Sequence, residues 1–478
     1  MLYLWKVVFL SRYVNYIKRH WFLGLFVLIF LLGTGLRMHN YWLFPVGGET
    51  ADETAWTMLG SSLLQTGQPT SWSSFPSYTN AELVVWAGNE FRLVSPALDH
   101  PPLFGLVPGS VVTLMGQFWK QLPSIKLIRA PLILIGSINL FLFAYWMWRL
   151  SVSKVWKTVS FLLFATAPAW VFLSRLVVSE NLLTTWLLLL AVVLQSKSKW
   201  RLQAIVILHA LLPLTKAIGI PLAIASVLIL FTEKEWNQFW KPALVGLLAG
   251  LGGWLFYAAI FDFDLWWQVQ FLQTRRGTGL ANLYNSFLWR PVLINKIFLD
   301  PWTWLGHIVA GLWLVRDDDK KTSRWQRWWG LSWLSYWGFL LISVGENVTH
   351  GWYQIAMLPM LAIGFGAAID WIWSRISWWG LALISLLLTL PVRTGLYYWL
   401  GKQLFIWQAG LQRMWLVGVG IIVLFGVMKL KNRQIFKLAG LLLIGLVVIG
   451  NILTVTQIDQ WKYWEEEVAF KEHLIPPY

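Results

Sequence analysis

The apolar positions of this chain fall in long unbroken runs rather than in stripes. Trp21 to Leu36, Pro242 to Phe261 and Leu438 to Leu453 each approach the ~20 residues that carry a helix across about 30 Å of hydrocarbon. About fourteen such segments can be read along the chain. They lie near 21–38, 101–118, 130–148, 156–173, 181–195, 202–215, 218–232, 242–261, 301–315, 330–344, 354–373, 377–392, 413–428 and 435–454. The pattern predicts an all-α polytopic membrane protein, a single integral membrane domain over residues 1–478 with no separate soluble domain. Two longer stretches, 39–129 and 262–300, interrupt the runs.

Charge fixes which runs cross, because Lys and Arg collect in cytoplasmic connections. Counting every run as a crossing from a cytoplasmic N-terminus puts the basic connections 149–157, 197–201 and 316–327 outside. Counting back from the basic turn 429–437 puts them inside. The conflict disappears if 101–118, which opens His-Pro-Pro and carries Gly105, Pro108, Gly109 and Gly116, lies along the outer face. That leaves about thirteen transmembrane helices in the plasma membrane, with the N-terminus cytoplasmic and the C-terminus extracytoplasmic. Both 39–129 and 262–300 then face outward. The first run follows Lys6, Arg12, Lys18 and Arg19 without a small-residue cleavage site, and reads as a retained anchor.

Composition agrees with this picture: 57% of residues are hydrophobic and only 13% charged. The net charge of +16 is scattered singly at segment ends, which argues against a nucleic-acid partner. With no cysteine, disulfides and thiolate metal sites are excluded. Many of the 37 Trp residues (Trp21, Trp42, Trp119, Trp200, Trp302, Trp328, Trp461) stand at segment ends and read as interfacial belts.

The stretch GETADETAWT, Gly48 to Thr57, sets three carboxylates (Glu49, Asp52, Glu53) just after the first crossing, where acids are costly without a role. Ala55, Met58, Leu59, Ser62 and Leu63 predict a surface helix over 52–65, capped by Thr50 with Glu53 three residues on, and ended by Gly67-Gln68-Pro69. The charge-derived topology puts Asp99, His100, Arg175, Glu180, Lys216, Arg275, Arg276, Glu346, His350 and Tyr353 on the same outer side. Each has a plain structural alternative. Asp52 and Glu53 suit a helix N-terminus, His100 an interfacial hydrogen bond, and Arg175 with Glu180 an ion pair closing a turn. Lys216 either snorkels or neutralises an anion, and the Arg275–Arg276 pair suits a phosphate or a headgroup. His350 and Tyr353 either line a cleft or anchor a helix. Glu49, Asp52, Glu53 and His100 offer metal ligands, but their spacing matches no metal motif.

These segments carry a resemblance. ADETAW, HPPLFG, LSRLVVSENLL, LLPLTKAIG and HGWYQIAMLPML, in that order over roughly residues 20 to 370, resemble membrane glycosyltransferases related to protein O-mannosyltransferases and to the aminoarabinose transferases of lipid A. The resemblance implies the C-type glycosyltransferase fold, with juxtamembrane helices in the first outer loop. It also implies a dolichyl- or undecaprenyl-phosphate sugar donor and a catalytic first-loop aspartate, which here is Asp52. Trp56 stands where family members often have Tyr.

The function expected is transfer of a hexosyl or pentosyl unit from a polyprenyl-phosphate donor to a hydroxyl of a protein, lipid or glycan, with inversion. Asp52 is the expected base and Glu53 its catalytic neighbour, Glu49 and Glu53 remaining rivals for the base. Arg175, Lys216, Arg275 and Arg276 are the expected phosphate ligands, and Glu49, His100, Glu180, His350 and Tyr353 the substrate-binding set. No cofactor is expected, a divalent metal being the less favoured alternative. A transporter or flippase of a lipid-linked saccharide is the rival function; it predicts paired halves with broken helices at the midplane.

Overall fold

The computed structural model describes residues 21–45, 52–86, 89–274, 301–315, 323–343, 351–378, 380–381 and 433–472. The chain enters through α1 (Trp21–Met38) and continues into the first loop. That loop holds α2 (Asp52–Thr66), β1 (Ser71–Trp72), β2 (Ala81–Trp86), β3 (Asn89–Val94) and α3 (Leu106–Leu114). A run of helices follows: α4 (Ile125–Arg149), α5 (Lys154–Thr166), α6 (Pro168–Leu173), α7 (Glu180–Gln195), α8 (Arg201–Thr215), α9 (Gly219–Thr232), α10 (Trp240–Phe261) and α11 (Phe263–Thr274). Beyond them come α12 (Pro301–Val315), α13 (Ser323–Ser343), a 3₁₀ segment (Gly351–Met357) running into α14 (Leu358–Arg375), and α15 (Arg433–Glu472).

Five of these helices, counting the short 3₁₀ turns that lead into α10 and α14, are long and apolar enough to cross a membrane, and the protein is an integral membrane protein. The expected segments 377–392 and 413–428 lie largely or wholly outside the described residues, as does most of 262–300. Among the described helices, Lys and Arg mark the end of the bundle where α4, α7, α9 and α14 finish: Arg149, Lys197, Lys199, Lys234 and Arg375. There Arg327 pairs with Glu233 at 3.0 Å, and Arg324 with Glu235.

Segment 101–118 contains only the nine residues of α3 as helix. At 1.5 Å per residue that is about 14 Å, too short for the ~30 Å hydrocarbon core. It packs on α2 backbone to backbone: a Cβ on Gly60 would stand 1.8 Å from the Gly105 carbonyl oxygen, and one on Gly109 2.4 Å from the Gly60 carbonyl carbon. Helix α2 itself starts and ends as its pattern predicts. It is not, however, a surface helix, because Trp56 to Ser62 are buried without a break. Its hydroxyls tolerate this by bonding carbonyls, Thr57 to Glu53 at 2.7 Å, Ser61 to Thr57 at 2.9 Å and Ser62 to Thr70 at 3.0 Å.

The loop also contains a small antiparallel sheet in the order β1-β3-β2, with Ala81 opposite Val94 and Trp86 opposite Asn89. Strands β2 and β3 pair as a hairpin, an element that the run of helices expected from the sequence does not include. The tryptophans also divide. Trp21, Trp42 and Trp200 are exposed, as belts require, whereas Trp328, Trp329 and Trp146 are buried. Trp146 of α4 lies 5.3 Å from Trp329 of α13, centroid to centroid, so these indoles join the two helices.

At Pro168 the crossing predicted over 156–173 breaks into α5 and α6. Proline has no N–H to give the Phe164 carbonyl four residues back. Arg37 from α1 replaces it, its Nη2 donating to Phe164 O and its Nη1 to Ala165 O, both at 3.0 Å.

Candidate functional site

Four chain ends meet at the other end of the bundle: the start of α2, the start of α7, the turn between α8 and α9, and the 3₁₀ segment before α14. Each brings one of the predicted residues. Glu180 opens α7, where the helix dipole favours an acid. Lys216 caps the C-terminus of α8, where a cation is favoured. The α8–α9 turn is tight because residue 219 is glycine; a Cβ there would lie 2.1 Å from the Leu212 carbonyl oxygen. Both flanking pieces are tied to α7. Trp186 Nε1 donates to Thr215 Oγ1 at 2.9 Å, and Thr184 Oγ1 to Ile355 O at 3.3 Å.

The result is an ion pair with a specific environment. Lys216 Nζ donates to Glu180 Oε1 at 2.7 Å, with Glu180 fully buried and Lys216 nearly so. The same ammonium sits 5.1 Å from the centre of the Tyr353 ring. Burial disfavours its charge, but Glu180, Tyr353 and Asp52 outweigh that and hold the pKa above the ordinary lysine value. Asp52 is therefore close enough for its charge to be felt at Lys216. Tyr353 is fixed in turn, its carbonyl accepting from the Tyr336 hydroxyl at 2.6 Å.

The two adjacent acids face different surroundings. Asp52 is half-buried, on the Lys216 side. Glu53 points into the protein, 1% exposed, and accepts from Arg129 Nε at 2.8 Å, Arg129 Nη2 at 2.7 Å and the Val177 amide at 3.0 Å. Arg129 Nη1 also donates to Pro45 O at 2.6 Å and Tyr41 O at 3.1 Å. Arg129 was missed in the sequence because it stands just before the apolar run at 130 and reads there as a helix-end cation.

Arg175 is not paired with Glu180 across its hairpin. Its guanidinium is 1% exposed and donates at 2.7 Å to three carbonyls, Phe44, Leu36 and His39, where α1 ends. Arg129 and Arg175 together clamp the stretch that leads from α1 toward Asp52.

His100 stacks on Trp56, one turn beyond Asp52, with centroids 4.7 Å apart and planes at 17°. The loop presenting it is braced from two sides. Asp99 accepts from Ser73 Oγ at 2.7 Å and from the Tyr78 hydroxyl, and its carbonyl accepts from Gln273 of α11 at 2.9 Å. Burial, and then the charge and hydrogen bond of Asp99, push the Tyr78 pKa far above the usual phenol value, so it stays a donor. Asp52, Lys216, Glu180 and Tyr353 are thus brought together, with His100 beside them on Trp56. Glu49, Arg275, Arg276 and His350 lie outside the described residues.

Chemically the cluster offers a carboxylate that can accept a proton, a fixed ammonium that can hold an anion, and aromatic faces. No family model matches the chain, and no curated protein matches it in sequence. In three dimensions it is similar to ArnT from Cupriavidus metallidurans bound to undecaprenyl phosphate, with TM-score 0.52 and 14% identity over 95% of this chain and 78% of that one. The apo state of the same protein gives 0.50 and 14%, over 88% and 74%. The apo oligosaccharyltransferase of Archaeoglobus fulgidus gives 0.48 and 12%, over 97% and 59%. At such identity the likeness to ArnT is one of fold alone.

Proposed function

We propose that the protein moves a monosaccharide from a polyprenyl-phosphate donor to an acceptor hydroxyl, at the extracytoplasmic end of the bundle. The observation that carries this reading is the Asp52–Lys216–Glu180–Tyr353 cluster, which sets a base candidate near a held cation. The ArnT structure of the same fold holds undecaprenyl phosphate, which supports a donor of that class. Asp52 takes the acceptor proton as the hydroxyl oxygen attacks the anomeric carbon, and the bond to the phosphate oxygen breaks on the opposite face, inverting the configuration. Lys216 neutralises charge developing on the departing phosphate, and Glu180 keeps the ammonium aimed. Arg275 or Arg276 supplies a second phosphate contact. His100 on Trp56, Tyr353, Glu49 and His350 form the sugar and acceptor surroundings. Glu53 and Arg175, both taken up by partners in the protein, hold α2 and the stretch before it rather than touching substrate.

The test uses purified protein in nanodiscs with polyprenyl phosphates carrying radiolabelled sugar, offered with hydroxyl acceptors of peptide, lipid and glycan type. Label leaving the lipid for one acceptor supports the reading. Lipid crossing the bilayer with its sugar intact supports transport instead and overturns it.

A further inference from the structure

Helix α11 brings two uncharged amides to the first loop. Its start is set by Asp262, whose Oδ1 accepts from the Leu265 amide at 2.9 Å and whose carbonyl accepts from the Trp266 amide at 3.0 Å. From there Trp266, Val269, Gln270 and Gln273 follow at helical spacing and share one face. Trp267, Gln268 and Phe271, on the other side, are exposed. Trp266 packs in one apolar cluster with Leu98, and Val269 in another with Trp56 and Phe104. The other two positions on that face are the amides, and both reach the same place.

That place is the peptide group that joins Asp99 to His100. Gln273 Nε2 donates to Asp99 O at 2.9 Å, and Gln270 Nε2 donates to the same oxygen at 3.2 Å and to Leu98 O at 3.1 Å. One donor is enough to satisfy a backbone carbonyl, yet the Asp99 oxygen receives two. Because the peptide unit is planar, donors converging on this oxygen fix the plane that carries the His100 nitrogen and Cα. The residues before it are held as well. The Leu98 amide donates to the Tyr78 hydroxyl at 2.9 Å, and the Asp99 carboxylate accepts from Ser73 and Tyr78. On the other side Pro101 restricts His100 to extended backbone. With its backbone fixed before and after, His100 keeps only its side-chain torsions, and its ring lies nearly parallel on Trp56.

We infer that Gln270 and Gln273 are positioning residues of the transfer site, which aim the His100 imidazole along Trp56, one turn from Asp52, by holding the peptide group ahead of it. The inference rests on the function proposed above, in which His100 borders the substrate. The two amides act through His100 and do not touch substrate themselves.

The experiment uses the full chain in nanodiscs, with histidine labelled with carbon-13 at Cε1, and follows the ring protons by NMR. The ring current of the Trp56 indole shifts the His100 Cε1–H signal upfield, and loss of that signal in His100→Gln identifies it. The double variant Gln270→Met with Gln273→Met keeps side-chain length and removes all three hydrogen bonds. Its His100 signal should move toward that of an unstacked histidine, whereas Gln268→Met on the exposed face should leave the signal in place. Transfer by the double variant should lose about 10- to 10²-fold in kcat/KM, as misplacement near a reacting centre does. In a His100→Gln background the same two substitutions should cost little more, because their effect passes through His100. An unmoved His100 signal in the double variant would overturn the inference, and so would an equal fold-loss in both backgrounds, which marks an effect on packing alone. Should the double variant not fold, Gln273→Met alone, which removes the shortest of the three bonds, is read in the same way. Absence of transfer by the wild-type chain would overturn the proposed function, while the histidine signal still decides whether the amides hold His100.

Discussion

The division of labour proposed for the two neighbouring carboxylates rests on what each meets. Glu53 meets a guanidinium, a backbone amide and no solvent, while Asp52 is half-buried and acts on Lys216 by its charge. Removing one partner of a buried pair leaves the other charged and unpaired, at a cost of about 3–5 kcal/mol. Arg129→Met should therefore lower the unfolding free energy in detergent by that amount. The double variant Arg129→Met with Glu53→Gln should recover part of it, and a double variant no more stable than Arg129→Met would contradict the pairing. Lys216→Ala should cost about 10² to 10³ in transfer rate. Lys216→Arg should recover more of that rate than Lys216→Gln does if the charge matters. Little of this was legible in the sequence. Asp52, Glu180 and Lys216 stood out because charge in so apolar a chain is conspicuous, and Tyr353 because it follows a predicted crossing close to His350. Which carboxylates are held by which groups depends on partners 36 to 124 residues away, such as Lys216 for Glu180 and Val177 for Glu53.

Elements were legible where one periodicity ruled. Helices α7, α8, α9 and α10 begin and end within two residues of their predicted runs, because each is an apolar block bounded by a charged or glycine-bearing turn. The small sheet and the burial of α2 were not, since both follow from how the first loop packs on itself. The same packing yields a prediction. Gly109 lies against the α2 backbone, with room for no side chain. Gly109→Leu should force α2 and α3 apart, costing about 1–3 kcal/mol and displacing Asp52 and Trp56 together. Transfer activity should fall with folded protein still present by size-exclusion chromatography. Unchanged activity would show that α2 is not held by this contact.

At the scale of the molecule, basic residues gather at one end of the bundle and the acid–lysine cluster at the other, the asymmetry expected when the basic end is cytoplasmic. Because the chain has no cysteine, single cysteines report sidedness cleanly. Gln121→Cys should react with an impermeant maleimide from outside intact cells, and Ser198→Cys only after the membrane is opened; the reverse pattern would invert the topology. The whole account rests on what Asp52 does in the proposed reaction. The most direct measurement is transfer from a radiolabelled polyprenyl-phosphate sugar by Asp52→Asn, with donor binding followed in parallel. The account predicts a rate lower by about 10² to 10⁴ with donor affinity nearly unchanged. Transfer at the wild-type rate by folded Asp52→Asn would contradict it.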